Sequence, residues 1–141
     1  KSRAYGEANP PFTITYTGFA NGDDVGDLDT EPTASSPAVA DSAPGDYAIT
    51  LTGGSDDHYA FTRVDGTLTV TKAGQSIDFT AIPDKTYGDS AFAISATADS
   101  GLDVTFAGLT PAVATVSGST VTIVGAGQAT IRASQAGDAN Y

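Results

Sequence analysis

The sequence predicts an all-β protein built as two tandem β-sandwich modules with almost no helix. Three observations carry this expectation. Short runs alternate apolar and polar residues with a period of two, turn residues separate them roughly every 8–12 positions, and one half of the chain echoes the other. Tyr5-Gly6 recurs as Tyr87-Gly88, Gly45 as Gly127, Ile49 as Ile131, Asp56 as Asp138 and Tyr59 as Tyr141, each pair 82 positions apart. A fixed period marks an array of like modules, and such arrays hold things apart or together more often than they catalyse.

Taken in order, Phe12-Thr13-Ile14-Thr15-Tyr16 sets Phe12, Ile14 and Tyr16 on one face of a strand, and Tyr47-Ala48-Ile49-Thr50-Leu51-Thr52 does the same with Tyr47, Ile49 and Leu51. The stretch 31–44 is poor in core residues and proline-rich, so an edge strand is expected near residues 36–40. Asp65-Gly66, between Phe61-Thr62-Arg63-Val64 and Thr67-Leu68-Thr69-Val70, predicts a tight hairpin. Lys72-Ala73-Gly74-Gln75 reads as the junction between modules, short enough to favour a rod-like pair. Beyond it, Ile77 and Phe79 flank Asp78, Val104 and Phe106 flank Thr105, and Val116 and Val121 flank a hairpin through Gly118-Ser119. No segment has a 3.6-residue apolar period with caps. The expected core is Phe12, Ile14, Tyr16, Phe19, Tyr47, Ile49, Leu51, Tyr59, Phe61 and Leu68 in the first module. In the second it is Ile77, Phe79, Tyr87, Phe92, Ile94, Val104, Phe106, Val116, Val121, Ile123 and Ile131.

Composition removes several functions. The 141 residues carry a net charge of −11, with 17 acids against 6 bases. Phosphate binding needs clustered Lys and Arg, so neither nucleic acid nor an anionic membrane surface is an expected partner. No apolar run is long enough for a membrane helix, so membrane insertion is not expected either. The chain has no cysteine, hence no disulfide, no thiolate ligand and no cysteine nucleophile. Modules of roughly 70–80 residues lie near the lower limit for an independent core, so sheet packing must stabilise them.

Three clusters invite chemistry. Asp23, Asp24, Asp27, Asp29 and Glu31 form the densest acidic run and are the candidate calcium ligands, since calcium takes six to eight oxygens. Their spacing is not that of an EF-hand, and the plain expectation is a solvated acidic loop with no cofactor. Ser55, Asp57 and His58 are too close in one loop to arrange a catalytic triad, and no Gly-x-Ser-x-Gly elbow exists. Asp56 and Tyr59 recur in the second half, which predicts a structural corner. Tyr5 and Tyr87 before glycine are expected to anchor sandwich ends rather than to stack on sugars. A Lys–Asn crosslink is disfavoured, because Lys1, Lys72 and Lys85 all sit near module ends or turns.

Several motifs point to a family. Ala4-Tyr5-Gly6-Glu7-Ala8-Asn9-Pro10, Tyr16-Thr17-Gly18-Phe19-Ala20-Asn21-Gly22-Asp23, Pro44-Gly45-Asp46-Tyr47-Ala48-Ile49, His58-Tyr59-Ala60-Phe61 and Gly66-Thr67-Leu68-Thr69-Val70-Thr71-Lys72-Ala73 occur in that order. The first half thereby resembles the MBG (mostly bacterial, glycine-rich) repeats of very long bacterial surface proteins. Pro111-Ala112-Val113-Ala114-Thr115-Val116, Val121-Thr122-Ile123-Val124-Gly125-Ala126-Gly127 and Ala129-Thr130-Ile131-Arg132-Ala133 give the second half a resemblance to bacterial Ig-like repeats of the group 2 kind. It lacks the Asn-Pro and Gly-Phe-x-Asn-Gly-Asp elements of the first half.

The resemblance implies tandem Ig-like sandwiches in a secreted or cell-surface adhesin-like protein, and no catalytic residues to carry over. The expected modules are residues 1–72 and 73–141. By the repeat phase, the first is expected to lack its first strand and the second its last. Exposed edges would then pair with neighbouring repeats of the same chain or with other molecules. The expected function is a non-catalytic stalk or spacer. The alternative is a module whose loops or sheet edge bind a glycan or a host or cell-surface protein.

Overall fold

The structure is a computed structural model that describes all residues 1–141. It is all-β, with one turn of 3-10 helix at Val25–Asp27. The chain divides into two compact units, Lys1–Ala73 with Asn140, and Gly74–Ala139 with Tyr141.

The first unit is built on one four-stranded sheet. Its strands are β1 (Ser2–Ala4), β2 (Thr30–Ser35), β3 (Gly45–Ser55) and β4 (Gly66–Thr71), in the spatial order β1-β4-β3-β2. Strand β4 lies antiparallel to β3, with Tyr47 opposite Leu68 and Gly45 opposite Val70. On its other side it runs parallel to β1, with Arg3 opposite Val70. The alternation in Gly-Thr-Leu-Thr-Val-Thr therefore ends at the centre of the sheet: Leu68 and Val70 are 0% and 2% exposed. Leu68, Ile49 and Ala38 form the core cluster, with Phe12, Ala34 and Tyr47 packed around it.

The second unit spreads its strands over three small sheets. Strand β5 (Ile77–Phe79) pairs with β7 (Ala96–Ala98), β6 (Phe92–Ala93) with β10 (Thr120–Ile123), β10 with β9 (Ala114–Ser117), and β8 (Thr105–Gly108) with β11 (Ile131–Ser134). The β9–β10 hairpin turns at Gly118-Ser119, where Gly118 takes φ +58. Ile94, Ala114 and Val121 are the buried centre of the second unit.

Four expectations are corrected. Residues 12–16 alternate half-buried and exposed positions as a strand would, yet they join no ladder. Their alternation records which side faces the core, since Phe12 packs on the Leu68 cluster, and not a partner strand. The Asp65-Gly66 hairpin does not form: Val64 is 78% exposed, and Gly66 is the first residue of β4, opposite Ile49. Complete burial of Leu68 and Val70 between two sequence-distant strands outweighs the short closure of an Asp-Gly turn, because loop-closure cost grows slowly with length. The edge strand lies at β2 rather than at residues 36–40, where Ala38 instead plugs the core. Tyr87, expected inside, is 66% exposed, whereas Tyr5 is half-buried.

The two halves repeat in hydrogen bonding as well as in sequence. The Ala4 N–H donates to Glu7 Oε2 (2.8 Å) and the Glu7 N–H to the Ala4 carbonyl; the Thr86 N–H donates to Asp89 Oδ2 (2.9 Å) and the Asp89 N–H to the Thr86 carbonyl. Thr33 Oγ1 meets Thr52 Oγ1 at 3.2 Å across β2–β3, and Thr105 Oγ1 meets Ser134 Oγ at 3.2 Å across β8–β11. Gly45 and Gly127 both adopt positive φ, +154 and +142, which explains glycine at both places.

Candidate functional site

The acidic run folds back on its own backbone. Asp24 caps the 3-10 turn: its Oδ1 accepts the Gly26 N–H at 2.7 Å, and its own N–H donates to Asp27 Oδ2 at 2.8 Å, a reciprocal capping box. Asp23 Oδ2 accepts the Tyr59 hydroxyl at 2.7 Å. Asp29 Oδ2 accepts the Asp57 N–H at 3.1 Å, while the Asp29 N–H donates to Asp56 Oδ2 at 3.3 Å. Glu31 is exposed on β2, and its charge adds to the desolvation that raises the Tyr16 phenol above its ordinary value. No three acidic or histidine side chains gather into a group that could hold a metal ion.

The corner at residues 56–59 closes this loop. Asp56 Oδ1 accepts the N–H groups of His58 (2.8 Å) and Tyr59 (3.0 Å). Its side chain is 4% exposed, whereas that of His58 is 87% exposed. The His58 N–H is the main cause holding the Asp56 carboxyl below its ordinary value, against a desolvation that pushes it up; the Asp29 and Tyr59 N–H groups also lower it. The Ala20 N–H donates to the Tyr59 oxygen and by itself lowers that phenol. The net shift is nonetheless upward, from the hydrogen bond to Asp23, desolvation, and the charges of Asp23 and Asp56. The Tyr59 ring meets Phe19 edge-on at 5.4 Å, and Phe19 meets Tyr16 at 6.1 Å.

Of Ser55, Asp57 and His58, the histidine stands nearest a carboxylate of the wrong residue, with Nδ1 3.9 Å from Asp56 Oδ1. In the second unit Asp138 Oδ1 accepts the Tyr141 N–H at 2.9 Å, matching Asp56 and Tyr59. The repeated Asp and Tyr are therefore a hydrogen-bonded corner in both halves.

The polar centre that sequence reading missed is Arg3, which is 5% exposed. Its Nε donates to Asn9 Oδ1 at 2.7 Å, Nη1 donates to the carbonyls of Ala4 (3.0 Å) and Ala40 (3.2 Å), and Nη2 donates to that of Val39. Asn9 Nδ2 donates to the Ala38 carbonyl at 2.6 Å. Together they tie β1 to the loop that carries Ala38 into the core. The second half has Lys85 and Ala91 at the matching positions, and the Lys85 ammonium lies over the Phe92 ring at 4.8 Å. The Asn-Pro missing from the second half was the available signal, because Asn9 is the partner of a buried guanidinium.

Residues 1–69 match the family model of the MBG domain (YGX type). This supports an MBG repeat in the first unit, of a non-catalytic repeat family typical of bacterial surface proteins. Comparison with curated proteins and with solved structures finds no match.

Proposed function

We propose that the chain is a non-catalytic spacer segment of a large secreted or cell-surface bacterial protein, holding a distal adhesive or enzymatic part away from its anchor. The observation that carries this reading is the corner. Its Asp carboxylates accept hydrogen bonds from the neighbouring backbone, and the Tyr59 hydroxyl donates to Asp23, so the most reactive-looking groups in the sequence are tied to their own backbone and to each other. The MBG match over residues 1–69 supports the setting. One observation favours the alternative of a binding module: Tyr87 stands 66% exposed in a turn of the second unit, with Lys85 over Phe92 nearby.

The purified chain is expected to give no signal on a glycan array or in cell binding. A signal that Tyr87→Ala abolishes would establish the binding module instead. Calcium is a second test of the same reading. Chelation should leave the melting midpoint unchanged, since anything that binds only the folded state raises it. A midpoint that rises with added calcium would make ligands of Asp23, Asp24, Asp27, Asp29 and Glu31.

A further inference from the structure

The second unit contains an open slot where the first contains a strand. In the first unit β4 is held between β1 and residues 45–49 of β3. The repeat places residues 84–86 and 127–131 at those two walls, and both walls keep their local form. The turn after residues 84–86 is closed by the same pair of hydrogen bonds as the turn after β1. Gly127 keeps the positive φ of Gly45, and β11 starts at Ile131 as the equivalent of Ile49. Yet residues 84–86 and 127–130 belong to no ladder. Between the walls lies a groove of about 790 Å³, lined by Phe79, Ile82, Phe92, Val121, Ile123 and Ile131 among others. In the first unit the space beside Ile49 is filled by Leu68.

We propose that this groove is a strand-acceptor site for an extended segment of the β4 type, hydroxyl residues alternating with two branched aliphatics, supplied from outside these 141 residues. Segments of that pattern within the chain are already used: Gly66–Thr71 in the first unit, with Leu68 and Val70 fully buried there, and Thr120–Ile123 between β6 and β9 in the second. The incoming strand runs parallel to residues 84–86 and antiparallel to residues 127–131. Its first aliphatic lies opposite Ala129, as Leu68 lies opposite Tyr47, and its second between Lys85 and Gly127, as Val70 lies between Arg3 and Gly45. An uncharged strand suits a lining whose charged members are Asp84 and Lys85, one of each sign. Main-chain pairing supplies the affinity, and the two apolar positions set the register.

The test appends a copy of residues 60–73 directly after Tyr141, so that the strand follows Tyr141 at the spacing that separates Gly66 from Tyr59. Amide hydrogen exchange at residues 84–87 and 127–131 should slow at least about tenfold against the unextended chain. The same extension carrying Leu68→Asp and Val70→Asp in the copy should leave exchange as it was. A free peptide of residues 60–73, titrated into the unextended chain, should shift the NMR signals of the same amides. Unchanged exchange with the native-pattern extension overturns the proposal, as does equal slowing by the aspartate version. If the unextended chain elutes as a dimer with these amides already protected, the slot belongs to a second copy and the proposal fails.

Discussion

Replacing Leu68 by alanine destabilises the first unit by about 2–5 kcal/mol. Leu68 has no exposed surface and touches both Ile49 and Ala38 at the centre of a sheet whose strands on either side come from distant parts of the chain. The remaining core is too small to collapse around the void. For a module of this size such a loss approaches the whole folding free energy, so the expected result is an unfolded first unit at moderate temperature. Ile49→Ala falls in the same range. Ile131→Ala, its counterpart in sequence, costs clearly less, because Ile131 is half-buried on a groove wall and has no equivalent of Leu68 packed against it. Urea unfolding followed by resolved NMR signals from each unit measures the three separately. Equal losses at Ile49 and Ile131 would contradict the difference in packing.

Asp56→Asn lowers the melting midpoint of the first unit by several degrees. The Asp56 carboxylate accepts the N–H groups of His58, Tyr59 and Asp29, tying the corner to the acidic loop. The pH dependence follows from the direction of the shift. The folded carboxyl titrates below its ordinary value of 3.8, so the stabilisation is complete above that value and is lost as pH falls through the depressed one. Asp99 in the second unit behaves alike, lowered first by the Ser76 hydroxyl and then by the Ser76 N–H. Acid titration of the wild type should therefore weaken both units in the same window, and Asp56→Asn should flatten the dependence in the first unit alone. An unchanged acid profile in that variant would remove Asp56 from the account.

Period-two alternation located β3, β4, β5, β8 and the β9–β10 hairpin, because those strands set one face on the core and the other in water. The same signal misled at residues 12–16, where one side is covered without any ladder. Strand β1 was illegible: Ser2, Arg3 and Ala4 carry no alternation, and their role rests on parallel pairing with residues 69–71, which no local pattern encodes. Strands β6 and β7 are too short and too rich in alanine to stand out. In the corner, the recurrence of Asp and Tyr revealed the structural role before any geometry was known. The Arg3–Asn9 latch stayed hidden because a buried guanidinium is rare and its acceptors are mostly backbone carbonyls, which a sequence does not display.

The parallel pairing of β1 with β4 decides how the first unit meets mechanical load. Tension drawn along the polypeptide enters at Ser2 and leaves at Thr71, which lie at opposite ends of the paired segment. The bonds from the Thr69 N–H to the Lys1 carbonyl and from the Tyr5 N–H to the Thr71 carbonyl are then sheared together instead of being unzipped one after another. Stretching must also wrench the Arg3 guanidinium from its acceptors in the neighbouring loop before either strand slides.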